Sequence, residues 1–444
     1  MVFSRTATRN DEGAIVVGGI DVRDLAAQFG TPLYVVDEAD MRARAGEFRD
    51  HFTAAFGRHH AKVDVYYASK ALLSSRIAAW MYAEDLCLDV ASGGELEIAL
   101  RGGMPAERIG LHGNNKSDAE LARALEVGVG RIIVDSFTEI EVLDAMARER
   151  GVVAPVMVRV TTGVHAGGHE YIATAHEDQK FGFSLSTGAA MKALHACHEA
   201  EGLRLLGIHT HIGSQILGLD AFRESAERML TLRADFAAQT GVELPEVDLG
   251  GGYAIKYVES GDEIDIRHAA FTVADAVAAA LDKTGGSWPR ISIEPGRAIA
   301  GPAGMTLYTV GVTKSVPLED GASRLYVAVD GGMSDNMRTI TYGAEYTASI
   351  ASRLSRATAV PSRVVGKHCE SGDIVVRDVM LPMDIERGDL LAVPATGAYG
   401  RVMANNYNAA LRPAVVSVRD GEATLLIRRD TIEDLLSWDV PPAS

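Results

Sequence analysis

Three stretches of this chain of 444 residues place reactive side chains beside residues small enough to let a ligand approach. In Val65-Tyr66-Tyr67-Ala68-Ser69-Lys70-Ala71, a strand-forming run shrinks to small residues and then presents one lysine. A desolvated lysine amine loses its proton readily and adds to carbonyl groups. In Ile291-Ser292-Ile293-Glu294-Pro295-Gly296-Arg297, a carboxylate ends an apolar run. There Pro295 fixes the turn, Gly296 allows close backbone approach, and Arg297 offers a two-pronged anion donor. In Asp248-Leu249-Gly250-Gly251-Gly252-Tyr253, three glycines follow a strand. Successive glycine N–H groups can point at a phosphate, although a tight turn alone also accounts for such a run.

A fourth stretch, His209-Thr210-His211-Ile212-Gly213-Ser214-Gln215, puts two imidazoles on one face of a strand. They could ligate a metal, but no Cys/His cluster supplies a third ligand, so no metal is expected. One histidine stacking on a flat ring, with Ser214 reaching a phosphate, explains the stretch as well. Lysine, glycine-lined phosphate site, flat histidine and buried acid together describe a pocket for pyridoxal phosphate (PLP). The acid keeps the pyridine nitrogen protonated, which makes the ring an electron sink.

Positioning these groups falls to an alternation of short β-branched runs with helical patterns. Strand-like runs recur at Val63–Tyr67, Leu86–Val90, Arg108–His112, Arg131–Asp135, Pro155–Val160, Leu205–His211, Glu246–Leu249 and Arg290–Glu294. Between most of them lie helical patterns such as Gly94–Arg101, Asp118–Glu126, Thr138–Arg150, Ser186–Glu201 and Ala221–Gln239. Alternating βα units predict a parallel sheet, and eight of them over roughly 250 residues predict a closed (β/α)8 TIM-like barrel. Lys70, Asp89, His112, Asp135, Arg159, His209, His211, Asp248 and Glu294 then ring one face, at the strand C-termini. Leu33–Val36 and a helix over Glu38–Phe56 are expected to open this domain, giving it residues 33–300.

After Gly296, strand-like runs at Leu307–Val312, Arg324–Val329, Asp373–Val379, Asp389–Val393, Ala414–Val418 and Ala423–Arg428 are separated by turn clusters. They predict an antiparallel β-sandwich or β-barrel domain over 301–444, joined by 1–32, in which Gly13–Val17 adds a strand.

Composition narrows the function. A formal charge of −17 argues against nucleic acid as a partner. Three cysteines at no metal-like spacing imply no disulfide framework, so a reducing cytoplasm is expected. Met1–Gly19 lacks the apolar core of a signal peptide, and Phe271–Leu281, the most apolar helix, is too short to span a bilayer. A small-molecule substrate is expected, with no membrane partner.

The chain resembles the diaminopimelate decarboxylase family, in the alanine-racemase-like class of PLP enzymes. The likeness runs through Tyr67–Ala71, Asp89–Glu95, His209–Gln215, Gly250–Gly252, Glu294–Arg297, Asp330–Arg338 with Tyr342-Gly343-Ala344, Cys369-Glu370-Ser371-Gly372-Asp373 and Gly397–Gly400. The first five are shared by related basic amino acid decarboxylases, whereas the Cys369 and Arg338…Tyr342 stretches discriminate among them.

The resemblance implies that Lys70 holds PLP covalently, His211 stacks on its ring and Glu294 meets its pyridine nitrogen. Asp89 is among the expected cofactor contacts. Gly252, Gly296 and Ser214 would hold the phosphate, and Tyr399 would lie near the cofactor. Arg297 (also near the cofactor), Arg338 and Tyr342 would grip substrate carboxylate. Glu370 would bind a substrate ammonium and Cys369 would donate a proton, both from the other subunit of a homodimer with its active site at the interface. Where the family has a proline after its counterpart of Arg338, this chain reads Thr339-Ile340-Thr341, so the Tyr342 loop is expected to sit differently.

The implied reaction converts meso-2,6-diaminopimelate to L-lysine and CO2, the last step of lysine biosynthesis. That substrate carries a carboxylate at each end, which substrate-facing arginines suit. A decarboxylase of ornithine, arginine or lysine would need an acid there, and a racemase a second base opposite Lys70. A non-catalytic homologue would have no need of Lys70, Glu294 and Cys369.

Overall fold

The computed structural model describes residues 2–164, 180–319 and 321–442. They form two compact units. One comprises Arg44–Ala254 and Asp262–Ala298; the other comprises Met1–Ala43, Ile255–Gly261 and Ile299–Ser444.

Among the described residues, the barrel of the first unit is built from eight parallel strands, β1 (Val63–Ala68), β2 (Cys87–Val90), β3 (Ile109–Leu111), β4 (Arg131–Val134), β5 (Ala154–Thr161), β6 (Leu203–His209), β7 (Glu246–Asp248) and β8 (Arg290–Ile293), with a two-residue strand, Phe183–Ser184, pairing parallel with the end of β5. Each pairs with the next, and β8 returns to β1 through Ile291 opposite Val63, which closes the barrel. All eight expected strands are present. The helices between them start where the sequence supplies an acceptor for free N–H groups. Ser74, Ser92, Ser117 and Ser136 each cap the helix that follows β1 to β4 in turn, and Ser117 forms a reciprocal capping box with Glu120. Short capped loops of this kind keep the strand C-termini and helix N-termini at one mouth.

Phe48, Phe52 and Phe56, at helical spacing, bury their rings, and Phe48 and Phe52 pack edge-on against Tyr253. Barrel interiors are usually layered with branched apolar side chains. Here Asp89, Arg131, His209, Asp248, Ser292 and Glu294 are buried instead.

The second unit carries a nine-stranded sheet and a separate three-stranded one, Thr8–Arg9, Ile15–Val17 and Ile20–Asp21. The N-terminal strand expected over Gly13–Val17 therefore belongs to its own small sheet, tied down by the Ile15 N–H on the Ala351 carbonyl. The large sheet is mostly antiparallel. This matches the antiparallel domain expected, with two parallel pairings within it, Ala414–Arg419 with Leu33–Asp37 and Ser323–Val329 with Ala359–Val365.

The domain limit expected at residue 33 also moves, to residue 44. Leu33–Asp37 pairs with Gly304–Pro317 and Ala414–Arg419, not with any barrel strand. Its Leu33 and Val35 join a core with Leu25, Leu307 and Val416.

Candidate active site

The end of β1 delivers Lys70 in a single 3-10 turn, Ser69–Ala71, one step past the last barrel residue. There the side chain is exposed. Its charge still acts inward, lowering the pKa of Asp89, Glu294 and His211.

Glu294 follows β8 and is 8% exposed. Among the described residues its Oε1 has no hydrogen-bond partner. His209 Nε2 lies 3.0 Å away and His112 Nε2 3.4 Å away, but neither closes a hydrogen bond with that oxygen. His112 Nε2 is hydrogen-bonded to Asp89 Oδ1 at 3.0 Å instead. Burial holds His112 down to about 3 against the upward pull of Glu294, and holds His209 and His211 well below the usual imidazole range. These rings are neutral at pH 7, so the contacts are not ion pairs.

Burial first, then Asp89, raises Glu294, while His112, Arg131 and Lys70 pull it back. An orphaned, buried carboxylate oxygen at a barrel mouth fits a protonated pyridine nitrogen, because an acceptor taken from water needs a donor in return. His112, His209 and Glu294 also lie close enough to hold a metal ion, a trio that sequence spacing does not suggest. Arg131 Nη2 lies 3.9 Å from the same Glu294 oxygen.

The glycine run after β7 is held by backbone on every side. Gly250 has φ +71° and Gly252 φ +110°, values that L side chains avoid. A Cβ at Gly250 would meet the Thr210 carbonyl at 2.4 Å, and one at Gly252 would meet the Gly213 carbonyl at 2.5 Å. Gly251 donates its N–H to His211 Nδ1 at 3.2 Å, which leaves that ring its proton on Nε2. His211 is half-buried just beyond β6. Nearby, Arg297 Nη2 donates to Ser214 Oγ at 2.7 Å. A Cβ at Gly296 would press on Ala68 at 2.9 Å, so the backbone stays close to β1. Lys70, Asp89, His211, Ser214, Gly252, Glu294, Gly296 and Arg297 thus all lie at or just past strand C-termini of the barrel unit. They fit PLP: a glycine cradle for phosphate, a flat imidazole, an unpartnered acid and an amine.

The remaining expected residues lie in the other unit. Arg338 is 5% exposed, and its Nη1 donates to Tyr257 and Tyr346 hydroxyls at 2.8 and 2.9 Å. Its Nη2 and Nε have no partner among the described residues, leaving one edge of the fork for a carboxylate. Tyr399 has φ +60°, and Arg338 lies 5.8 Å from its ring centroid. Tyr342 is half-buried and ends the short helix Arg338–Tyr342, which the Thr339-Ile340-Thr341 segment forms. Cys369 and Glu370 are exposed, whereas Cys87 and Cys197 are buried. The turn bearing Cys369 is pinned by Asp373, which accepts the His368 and Met333 N–H groups at 2.8 and 2.6 Å.

Sequence reasoning missed Arg131, Tyr257 and Tyr346. Arg131 begins a strand, where arginine ordinarily faces solvent, and the tyrosines carry no motif.

A family model described as the pyridoxal binding domain of pyridoxal-dependent decarboxylases matches residues 40–301. Over 443 residues the chain is 50% identical to the diaminopimelate decarboxylase of Mycobacterium tuberculosis, covering 99% of this chain and 98% of that protein. Over 441 residues it is 44% identical to that of Bacillus subtilis, again covering 99% and 98%. Among solved structures, the diaminopimelate decarboxylase from M. jannaschii in co-complex with L-lysine matches with a TM-score of 0.89 at 31% identity, over 100% of this chain and 99% of that one. The Helicobacter pylori enzyme complexed with L-lysine matches with a TM-score of 0.84 at 27% identity, over 94% and 98%. Among the described residues, no helix is long and apolar enough to cross a membrane. The chain belongs to the pyridoxal-dependent decarboxylases, within the diaminopimelate decarboxylase family.

Proposed function

We propose that this chain converts meso-2,6-diaminopimelate to L-lysine and CO2, the last step of lysine biosynthesis, with PLP at the C-terminal mouth of its barrel. The observation that carries the reading is full-length identity: 50% over 443 residues to a diaminopimelate decarboxylase. The unpartnered Oε1 of Glu294 and the glycine cradle support the cofactor from the chain's own atoms.

Lys70 holds the cofactor covalently, and the neutral His211 ring packs flat on it. Gly252, Gly296 and Ser214 take the phosphate. Glu294 accepts the pyridine N–H, and Asp89 sits beside it. When bound, the cofactor delocalises the electron pair that departing CO2 leaves behind. Arg297, Arg338 and Tyr342 bind substrate carboxylate, and Tyr399 lies at the cofactor. Glu370 takes the distal ammonium, and Cys369 Sγ–H gives its proton to the carbon that lost CO2. We assign Cys369 and Glu370 to the opposite subunit of a homodimer, which agrees with their exposure in the single chain. A reducing cytoplasm is the compartment this reading expects, and three free thiols agree with it.

The test is CO2 release from meso-diaminopimelate, L-ornithine, L-arginine and L-lysine in parallel. The reading expects release from the first alone; release from ornithine or arginine at a comparable rate overturns the substrate assignment.

A further inference from the structure

Arg131 opens β4 beside a cavity of about 610 Å³ that borders the N-terminal strand ends. Its side chain is 1% exposed. The guanidinium carbon lies 3.6 Å from the centre of the Tyr66 ring. Nη1 donates to Ser292 Oγ at 2.9 Å, and Nη2 donates to Asp248 Oδ2 at 2.5 Å. Asp248 is fully buried, and its second oxygen accepts the Gly250 N–H at 2.7 Å. One carboxylate therefore joins a cation on β4 to the first amide of the glycine loop.

That loop is spoken for in order. The Gly250 N–H goes to Asp248 and the Gly251 N–H to His211, while the Gly250 carbonyl accepts the Glu294 N–H at 2.9 Å. Among the described residues the Gly252 N–H has no acceptor, and it is the amide left to meet a ligand oxygen. A phosphate site needs its amides placed within a few tenths of an ångström, and a buried charged strut supplies that stiffness. Burial alone would lower the pKa of Arg131, but Tyr66, Asp248, Asp89 and Glu294 around it raise it, so the strut stays charged.

We infer that Arg131, acting through Asp248, is a positioning residue for the loop that receives the cofactor's phosphate. The inference rests on the phosphate assignment made above and adds the residue that sets its geometry. A merely structural Arg131 would neutralise the carboxylates around it, since Asp89 and Glu294 also lie 3.9 Å away. Its loss would then weaken every aldehyde ligand alike. A strut for the loop acts only on ligands that carry a phosphate.

The experiment titrates the full chain with PLP and with pyridoxal, which lacks the phosphate, and follows the visible absorbance of the covalently held aldehyde. Wild type binds PLP more tightly than pyridoxal. Arg131→Met lowers PLP affinity at least about tenfold, the loss of one charge-assisted contact, and changes pyridoxal affinity less than about threefold. Because Arg131→Met strands a buried carboxylate, Arg131→Met/Asp248→Asn, which removes both charges, is measured as well. It is expected to melt near wild type and keep the selective loss. Equal losses for both aldehydes, or wild-type PLP preference in the folded double variant, overturn the inference. A wild type that does not prefer PLP to pyridoxal overturns the phosphate assignment instead.

Discussion

Arg297 reaches Ser214 with two nitrogens, Nη2 at 2.7 Å and Nε at 3.3 Å, so a residue proposed for substrate and one proposed for phosphate form a single unit. With its oxygen already accepting, the Ser214 hydroxyl has its proton free for a ligand oxygen. Ser214→Ala is expected to weaken PLP about tenfold, the order of one hydrogen bond to a charged group. It also removes one anchor of Arg297, so the KM for diaminopimelate rises with it. Cofactor titration and steady-state kinetics on the same preparation check both effects.

Asp89 supplies a pH signature. Burial pushes its carboxyl up to about 8, helped by Asp248 and opposed by Arg131 and Lys70. The folded value lies above the ordinary carboxylate value of about 3.9, so the folded chain holds this proton more tightly than the unfolded chain does. That contribution is fully present below the unfolded value and is lost as pH climbs towards 8. Asp89→Asn has no such proton to lose. Its melting temperature, measured without added cofactor, is expected to gain on wild type from pH 4 to pH 8 and then level off. A difference that does not vary with pH contradicts the assignment.

For Cys369 the expected outcome is kinetic. Cys369→Ala lowers turnover by a factor on the order of 10² or more, typical for loss of a positioned acid, while PLP stays bound. Near wild-type turnover removes this thiol from the mechanism.

Arg338 gives a specificity test. Its Nη1 is fixed by Tyr257 and Tyr346, so its free edge has one orientation. Arg338→Met is expected to raise the KM for diaminopimelate more than about tenfold with PLP affinity unchanged. Arg338→Lys should not restore it, because a point charge does not reproduce a fork held by two tyrosines.

The eight barrel strands were legible as short, largely apolar runs with a polar residue at or just past most of their C-terminal ends. Leu33–Asp37 has the same look. Only its partners, some 270 and 380 residues away, assign it to the other unit. Ala359–Val365 escaped notice because Pro361, Ser362 and Arg363 interrupt its apolar pattern, although it pairs on both sides. The site residues were legible where chemistry falls on a strand end, as at Lys70, Glu294 and the Gly250–Gly252 run. Arg131 was not, because its meaning comes from Asp248 and Ser292, 117 and 161 positions further on. A buried charge looks like a surface charge until its partners are known.

Lys70→Met keeps an unbranched side chain out to Cε and removes only the amine that would hold the cofactor. The purified variant, incubated with PLP and desalted, is expected to be colourless and to form no lysine from meso-diaminopimelate. Retention of the visible band together with lysine formation would contradict the account.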